Sequence, residues 1–227
     1  MKRAEGIPRA RFLQALLLLW SAFVLSCVPP PEVGVSPERP VVSMPPQEQE
    51  EKSFEVFESM LEETTGKSIE EKTPVLDAGY RDIIRNYPDS FLAEESYLRL
   101  MLLNLENYDP PRVEEAERVY REYFRIYPAP RLNNAMNDSL ARIYYTYGYW
   151  DRLAAFCVPM VKRYLEGRAA SDALYLFYYS EAKLRLGEPG EAAKGYVLLQ
   201  RQFGKGELGR QSADRLKAIE ELGKKQK

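Results

Sequence analysis

The side chains that most often carry out catalysis are scarce in this chain of 227 residues. It has no histidine, which excludes imidazole general bases, Ser–His and Cys–His nucleophile pairs, and histidine-containing zinc sites. Its two cysteines are too few for a disulfide scaffold or a four-cysteine metal site. Lysine and arginine number 32 against 34 aspartates and glutamates, so the basic excess typical of nucleic-acid binding is missing. We therefore expect no enzyme, no cofactor, no nucleic-acid partner and no small-molecule substrate.

Carboxylates do occur in adjacent pairs, which are Glu62-Glu63, Glu94-Glu95, Glu114-Glu115 and Glu220-Glu221. Neighbouring side chains on a helix point about 100° apart, so the two members of a pair do not converge on one substrate. We interpret these pairs as solvated helix surface. A cell-wall hydrolase that uses a single carboxylate is the less favoured alternative.

The first cysteine, Cys27, ends a segment typical of exported proteins. Four basic residues near the N-terminus precede an apolar run from Phe12 to Leu25. As a helix this run would span about 21 Å, which is short of a bilayer hydrocarbon core of about 30 Å. The run therefore predicts a cleaved signal peptide and not a permanent membrane span.

The residues Val24-Leu25-Ser26-Cys27 resemble the lipobox of bacterial lipoproteins. In that family the cysteine thiol receives a diacylglycerol, the signal is cut before it, and the new amine is acylated. The resemblance implies a signal peptide over residues 1–26 and a lipid on Cys27. Val28 after the cysteine implies sorting to the outer membrane, with the domain facing the periplasm. A plain secretory signal with a coincidental cysteine is the alternative.

The segment after the lipidated cysteine is predicted to be a tether over residues 27–50. It contains seven prolines and no aromatic residue. Such a composition buries too little apolar area to offset its ordering entropy, and proline favours extended backbone. The folded domain is accordingly predicted over residues 51–227.

Four segments of this domain share one apolar stripe. Its spacing of i, i+4, i+7 and i+11 places four side chains on one helix face. The stripes start 40, 37 and 39 residues apart, and each segment ends at proline or glycine. They are Leu76, Tyr80, Ile83 and Tyr87; Ala116, Tyr120, Tyr123 and Tyr127; Leu153, Cys157, Met160 and Tyr164; and Ala192, Tyr196, Leu199 and Phe203. This period predicts an all-α solenoid of helix pairs, with Cys157 buried in it.

A last amphipathic segment is predicted to cap the stack. Leu208, Leu216, Ile219 and Leu222 would form its apolar face, and Lys224, Lys225 and Lys227 a solvated tail. A cap is needed because each helix pair buries its apolar face only against a neighbour.

Residues 147–153 and 186–192 resemble the turn between the two helices of a tetratricopeptide repeat, and Leu140, Ala141 and Tyr144 match its packing positions. With the lipobox and the Tyr87-Pro88-Asp89-Ser90 segment, the chain is similar to the tetratricopeptide-repeat lipoproteins of outer-membrane β-barrel assembly. The resemblance implies a superhelical solenoid whose concave face binds other proteins. On that face it places Asp138, Arg142, Tyr145, Phe177, Glu181 and Arg185.

These observations predict a lipid-anchored periplasmic scaffold that binds other envelope proteins during assembly of outer-membrane β-barrels. A pilotin-like lipoprotein, or one that coordinates cell-wall synthesis or division, is the alternative within the same class of binding proteins.

Overall fold

The structure is a computed structural model, which describes residues 42–225, without the side chain of Lys225. Cys27, the signal segment and most of the predicted tether lie outside the described residues. Within residues 42–225 the chain forms nine α-helices and no strand, so the all-α prediction is confirmed. The helices are α1 Pro46–Thr64, α2 Ile69–Asn86, α3 Phe91–Glu106, α4 Val113–Ile126, α5 Asn133–Tyr147, α6 Trp150–Leu165, α7 Ala173–Arg185, α8 Pro189–Phe203 and α9 Glu207–Lys225. A short 3₁₀ turn, Ala170–Asp172, precedes α7.

Local sequence signals set the ends of several helices. Ser68 and Glu71 form a capping box at the start of α2, where each side chain accepts a hydrogen bond from the backbone N–H of the other. Gly148 ends α5 and Gly187 follows α7, with φ of 73° and 80°. A residue with a side chain is strained in this left-handed region. Glycine is therefore the favoured residue at both of the turns that the sequence predicted.

The four predicted stripes lie on α2, α4, α6 and α8. Leu76, Tyr87, Tyr120 and Phe203 are half-buried, and the other twelve stripe residues are buried. Most of the buried stripe residues belong to one hydrophobic core cluster, whose members extend in sequence from Met60 to Leu199. The helical periodicity of the sequence thus predicted correctly which faces are apolar and buried.

Helix packing follows the order of the chain. Each helix packs against the next one, and each odd-numbered helix also packs against the next odd-numbered helix. Among the nine described helices, none packs against one more than two places away. The even-numbered helices approach one another through side chains, as in the ion pair of Arg81 on α2 with Glu115 on α4 at 2.8 Å.

Two predictions near the ends of the domain are corrected, one on a boundary and one on burial. The predicted tether ends at residue 50, but α1 begins at Pro46, because proline is well suited to the first position of a helix, where no N–H is needed. Gln49 is buried there and accepts a hydrogen bond from the backbone N–H of Asp89 at 3.0 Å. At the other end, Leu208, Leu216 and Ile219 pack against the core as predicted, whereas Leu222 is exposed.

Candidate partner-binding surface

Three of the predicted binding residues lie on α5. Asp138 and Arg142 are exposed and Tyr145 is half-buried. The spacing of four and three residues puts all three side chains on one side of the helix. Arg142 Nη2 donates to Glu106 Oε1 of α3 at 2.8 Å, and Asp138 accepts a hydrogen bond from the hydroxyl of Tyr175 on α7. These contacts hold α5 between its two odd-numbered neighbours.

Aromatic rings and arginines meet where α5 lies beside α7. The Tyr145 ring lies 5.8 Å from the Trp150 ring and 5.1 Å from the Tyr178 ring, measured between centroids. The guanidinium of Arg185 lies 5.6 Å from the centroid of Trp150, within cation–π range. We call Arg142, Tyr145, Trp150, Tyr178 and Arg185 the aromatic–arginine patch.

Electrostatic coupling also links these side chains. The pKa of Tyr178 is raised, first by burial and then by Tyr145 and Asp138, while the positive charge of Arg142 acts to lower it. Tyr178 therefore stays neutral and available as a hydrogen-bond donor at physiological pH. Arg185 is exposed and forms no ion pair among the described residues, so its N–H groups face solvent.

The placement of Phe177 and Glu181 on an exposed binding face is wrong. Phe177 is 6% exposed and its ring packs 5.9 Å from that of Tyr196 on α8. Glu181 is 1% exposed, accepts a hydrogen bond from the Tyr196 hydroxyl at 2.6 Å and forms an ion pair with Arg215 of α9. Both residues hold α7 to the following helices, so neither is accessible to a partner.

Tyr178 and Trp150 are the patch residues that the sequence did not single out for binding. Tyr178 directly follows Phe177, and successive residues of a helix point about 100° apart. A prediction that is wrong by one position therefore assigns a buried residue to the surface. Trp150 is the first residue of α6, and its ring lies beside that of Tyr145 on α5. Its proximity to Arg185 depends on how α7 packs, which no local pattern reveals.

A separate open cleft of about 350 Å³ is lined by residues of α4, α5 and α6, including Tyr120, Asn133, Asn137 and Arg163. Its polar groups bond to one another or to neighbouring side chains. Tyr120 donates to Asn137 at 2.6 Å, Asn137 donates to Asn133 at 2.7 Å, and Arg163 pairs with Asp172 at 2.8 Å. The aromatic–arginine patch keeps more unused donors, which makes it the better candidate surface.

Several of the remaining reactive groups are buried or form ion pairs. Cys157 is fully buried in the core, and burial raises the pKa of its thiol. Two glutamates from the adjacent acidic pairs form ion pairs. Glu114 lies 2.7 Å from Arg152, and Glu94 lies 3.0 Å from Arg131. Within residues 42–225, no three acidic or cysteine side chains are grouped so as to hold a metal ion.

None of the helices described is both long and apolar enough to cross a bilayer. Comparison of the chain with models of protein families, with curated proteins and with solved structures finds no match.

Proposed function

We propose that this protein is a lipid-anchored periplasmic scaffold that binds other envelope proteins through the aromatic–arginine patch. The observation that carries the proposal is the patch itself, with three half-buried rings and two exposed guanidinium groups where α5, α7 and the start of α6 meet. Tyrosine, tryptophan and arginine are the residues that most often dominate binding energy at protein interfaces. The rings are held by the fold, so binding orders few additional side chains.

The overall architecture we propose is a tetratricopeptide-like superhelical solenoid capped by α9. It is supported by the sequential packing, because a closed bundle would bring together helices distant in the chain. The odd-numbered helices, which pack against one another, would then line the inner face. The patch lies on α5 and α7 of that series, with Trp150 at the start of α6.

Partner binding is tested by replacing Arg142 with Glu and Tyr145 with Ala in one chain. The matched control carries Arg118→Glu and Tyr108→Ala, which change an exposed arginine and a half-buried tyrosine outside the patch. After crosslinking in intact membranes and affinity capture, we expect the patch variant to recover at least about tenfold less partner than the control. Equal recovery by the two variants would show that the patch does not bind.

The captured protein decides between the proposed roles. A pore of the outer-membrane β-barrel assembly machinery supports the assembly role. A secretin or a peptidoglycan synthase supports the pilotin-like or cell-wall alternative. The comparison requires that both variants have similar melting temperatures. A much lower melting temperature of the patch variant would mean that Tyr145 chiefly stabilises the core.

Membrane anchoring is tested separately with Cys27→Ser. The acyl chains of a lipoprotein contribute about 0.8 kcal/mol per buried CH₂ group, so losing them should release the domain from the membrane. We expect the variant to lose incorporation of labelled fatty acid and to move to the soluble fraction. Full retention of both label and membrane association would reject the lipid anchor.

A further inference from the structure

The N-terminal helix α1 leaves an apolar stripe uncovered. Phe54 is 51% exposed and Leu61 is 46% exposed, and the two lie seven residues apart on one side of the helix. Phe57 lies next to Phe54, with 6.3 Å between ring centroids, and is itself packed against the core. Among the described helices, α1 packs against α2 and α3 alone, so no third described helix covers the side that carries Phe54 and Leu61.

Acidic side chains flank this stripe. Helix α1 contains seven glutamates and one lysine. Lys52 pairs with Glu55 at 2.8 Å, and Glu50 accepts a hydrogen bond from the backbone N–H of Phe91 at 2.8 Å. The exposed residues Glu51, Glu58 and Glu62 form no ion pair among the described residues. The surface therefore combines exposed hydrocarbon with unneutralised negative charge.

Helix α9, at the other end of the described chain, differs in this respect. Its charges are mixed in sign, and several are paired within the helix, including Arg210 with Glu207 and Lys224 with Glu220. Its exposed apolar residue Leu222 has no second exposed large apolar residue on the same helix. The acidic apolar stripe is thus particular to α1 and is not a general property of a helix at the end of this fold.

Charge restricts what can cover the stripe. An anionic lipid surface and nucleic acid are both repelled by the glutamates. A second copy of α1 would bring Glu51 and Glu58 against like charges. A helix also satisfies its own backbone hydrogen bonds, so it offers no edge for an added strand, and its natural partner is another helix.

We propose that the α1 stripe, formed by Glu51, Phe54, Glu58, Leu61 and Glu62, is a docking site for a basic amphipathic helix of a partner protein. Phe54 and Leu61 are separated by about 10.5 Å along the helix axis, which matches apolar residues one heptad apart on the incoming helix. Lysine or arginine beside those apolar residues would meet the three glutamates. This site is on a different helix from the aromatic–arginine patch and does not depend on it.

The probe for this site is a fluorescent synthetic helix with leucine at heptad spacing, flanked by lysines. A second peptide has glutamate in place of every lysine. Binding of both to the full-length chain in detergent is measured by fluorescence anisotropy. Two double variants remove either the apolar or the acidic part of the stripe: Phe54→Ser with Leu61→Ser, and Glu51→Lys with Glu58→Lys.

Matched controls make the same changes elsewhere. Leu174→Ser with Leu222→Ser removes two exposed leucines, and Asp214→Lys with Glu221→Lys reverses two exposed acids on α9. We expect saturable binding of the lysine peptide, weakened at least about tenfold by each stripe variant and less than about twofold by each control. Binding should also weaken as salt is raised, because the charges lie at the surface.

Several results would overturn the proposal. The proposal is wrong if the lysine peptide does not bind saturably, or if the glutamate peptide binds equally tightly. It is also wrong if the stripe and control variants lose affinity for the lysine peptide equally. Sedimentation provides a further test. A dimer of the unmodified chain that dissociates on Phe54→Ser with Leu61→Ser would assign the stripe to self-association instead. Circular dichroism of each variant confirms that the compared chains are folded.

Discussion

A single buried carboxylate connects the last three helices. Glu181 of α7 accepts hydrogen bonds from the hydroxyl of Tyr196 on α8 and from the guanidinium of Arg215 on α9. The pKa of Tyr196 is raised, mainly by burial and then by this hydrogen bond to Glu181, so its hydroxyl remains a donor. A charge removed from water needs such partners, since desolvation otherwise exceeds the favourable interaction.

Removing Arg215 should therefore destabilise the fold more than neutralising Glu181. Arg215→Leu leaves a buried carboxylate with one neutral donor, which we expect to cost about 3 kcal/mol in urea unfolding. Glu181→Gln keeps the shape and leaves an arginine that water reaches, so about 1 kcal/mol is expected. Arg210→Leu, which breaks an exposed pair on the same helix, should cost less than about 0.5 kcal/mol. A larger loss of unfolding free energy in Glu181→Gln than in Arg215→Leu would refute the buried-charge explanation.

The core cysteine provides a second prediction for a single residue. Cys157 is fully buried and burial raises the pKa of its thiol, so neither access nor ionisation favours reaction. In a Cys27→Ser chain at pH 8, reaction with a disulfide reagent should be at least about 100-fold slower than in urea, because a core residue is reached only through opening events. Comparable rates in the folded and unfolded chains would show that Cys157 is accessible.

Close approach of neighbouring helices depends on small residues at the contact points. Gly195 of α8 lies against Ser180 and Leu176 of α7, where an added Cβ would overlap the serine hydroxyl and lie 3.3 Å from its Cβ. Gly79 of α2 lies against Met60 of α1, which has a flexible side chain. Gly190, near the start of α8, has nothing within 4 Å of an added Cβ.

The two glycines of α8 should consequently respond in opposite ways to alanine. Gly195→Ala is expected to cost about 1–3 kcal/mol through overpacking. Gly190→Ala is expected to add up to about 1 kcal/mol, since alanine is the better helix former and meets no neighbour. Adding Ser180→Ala to the Gly195→Ala chain should recover part of the loss. Thermal unfolding measures all three, and equal shifts for the two glycines would contradict the close helix contact.

The whole described domain is stabilised by contacts between helices near one another in the chain. In such an arrangement the stability of each part depends on its immediate neighbours, and distant parts unfold with some independence. The core cluster is continuous, but the contacts that make it continuous pass from each helix to the next one or two.

A local destabilisation should accordingly remain local. Arg215→Leu is expected to increase amide hydrogen exchange in α7, α8 and α9, because these helices share the Glu181 contacts. Exchange in α1–α4 should change less than about twofold, since none of these helices packs against α7–α9. A uniform increase across all nine helices would indicate a single cooperative unit and would contradict this prediction.

The sequence alone determined the helical class, the ends of the four striped segments and the buried faces. Periodic apolar residues such as Leu153 and Cys157 specify a buried stripe, and Gly148 and Pro88 mark where helices stop. These signals are local, because helix hydrogen bonds and chain termination depend on residues within a few positions. The end of the predicted tether was missed by a few residues, since Pro46 both suits an extended segment and begins a helix.

The tertiary structure alone decided which of several similar charged and aromatic residues are buried. Phe177 and Tyr178 are adjacent and similar in character, yet one is core and the other belongs to the patch. Glu181 resembles any surface glutamate until Arg215, 34 residues later, is brought beside it. The exposure of Phe54 likewise depends on tertiary packing, because no described helix other than α2 and α3 packs against α1. Each outcome follows from contacts between distant residues, and those contacts leave no pattern in the local sequence.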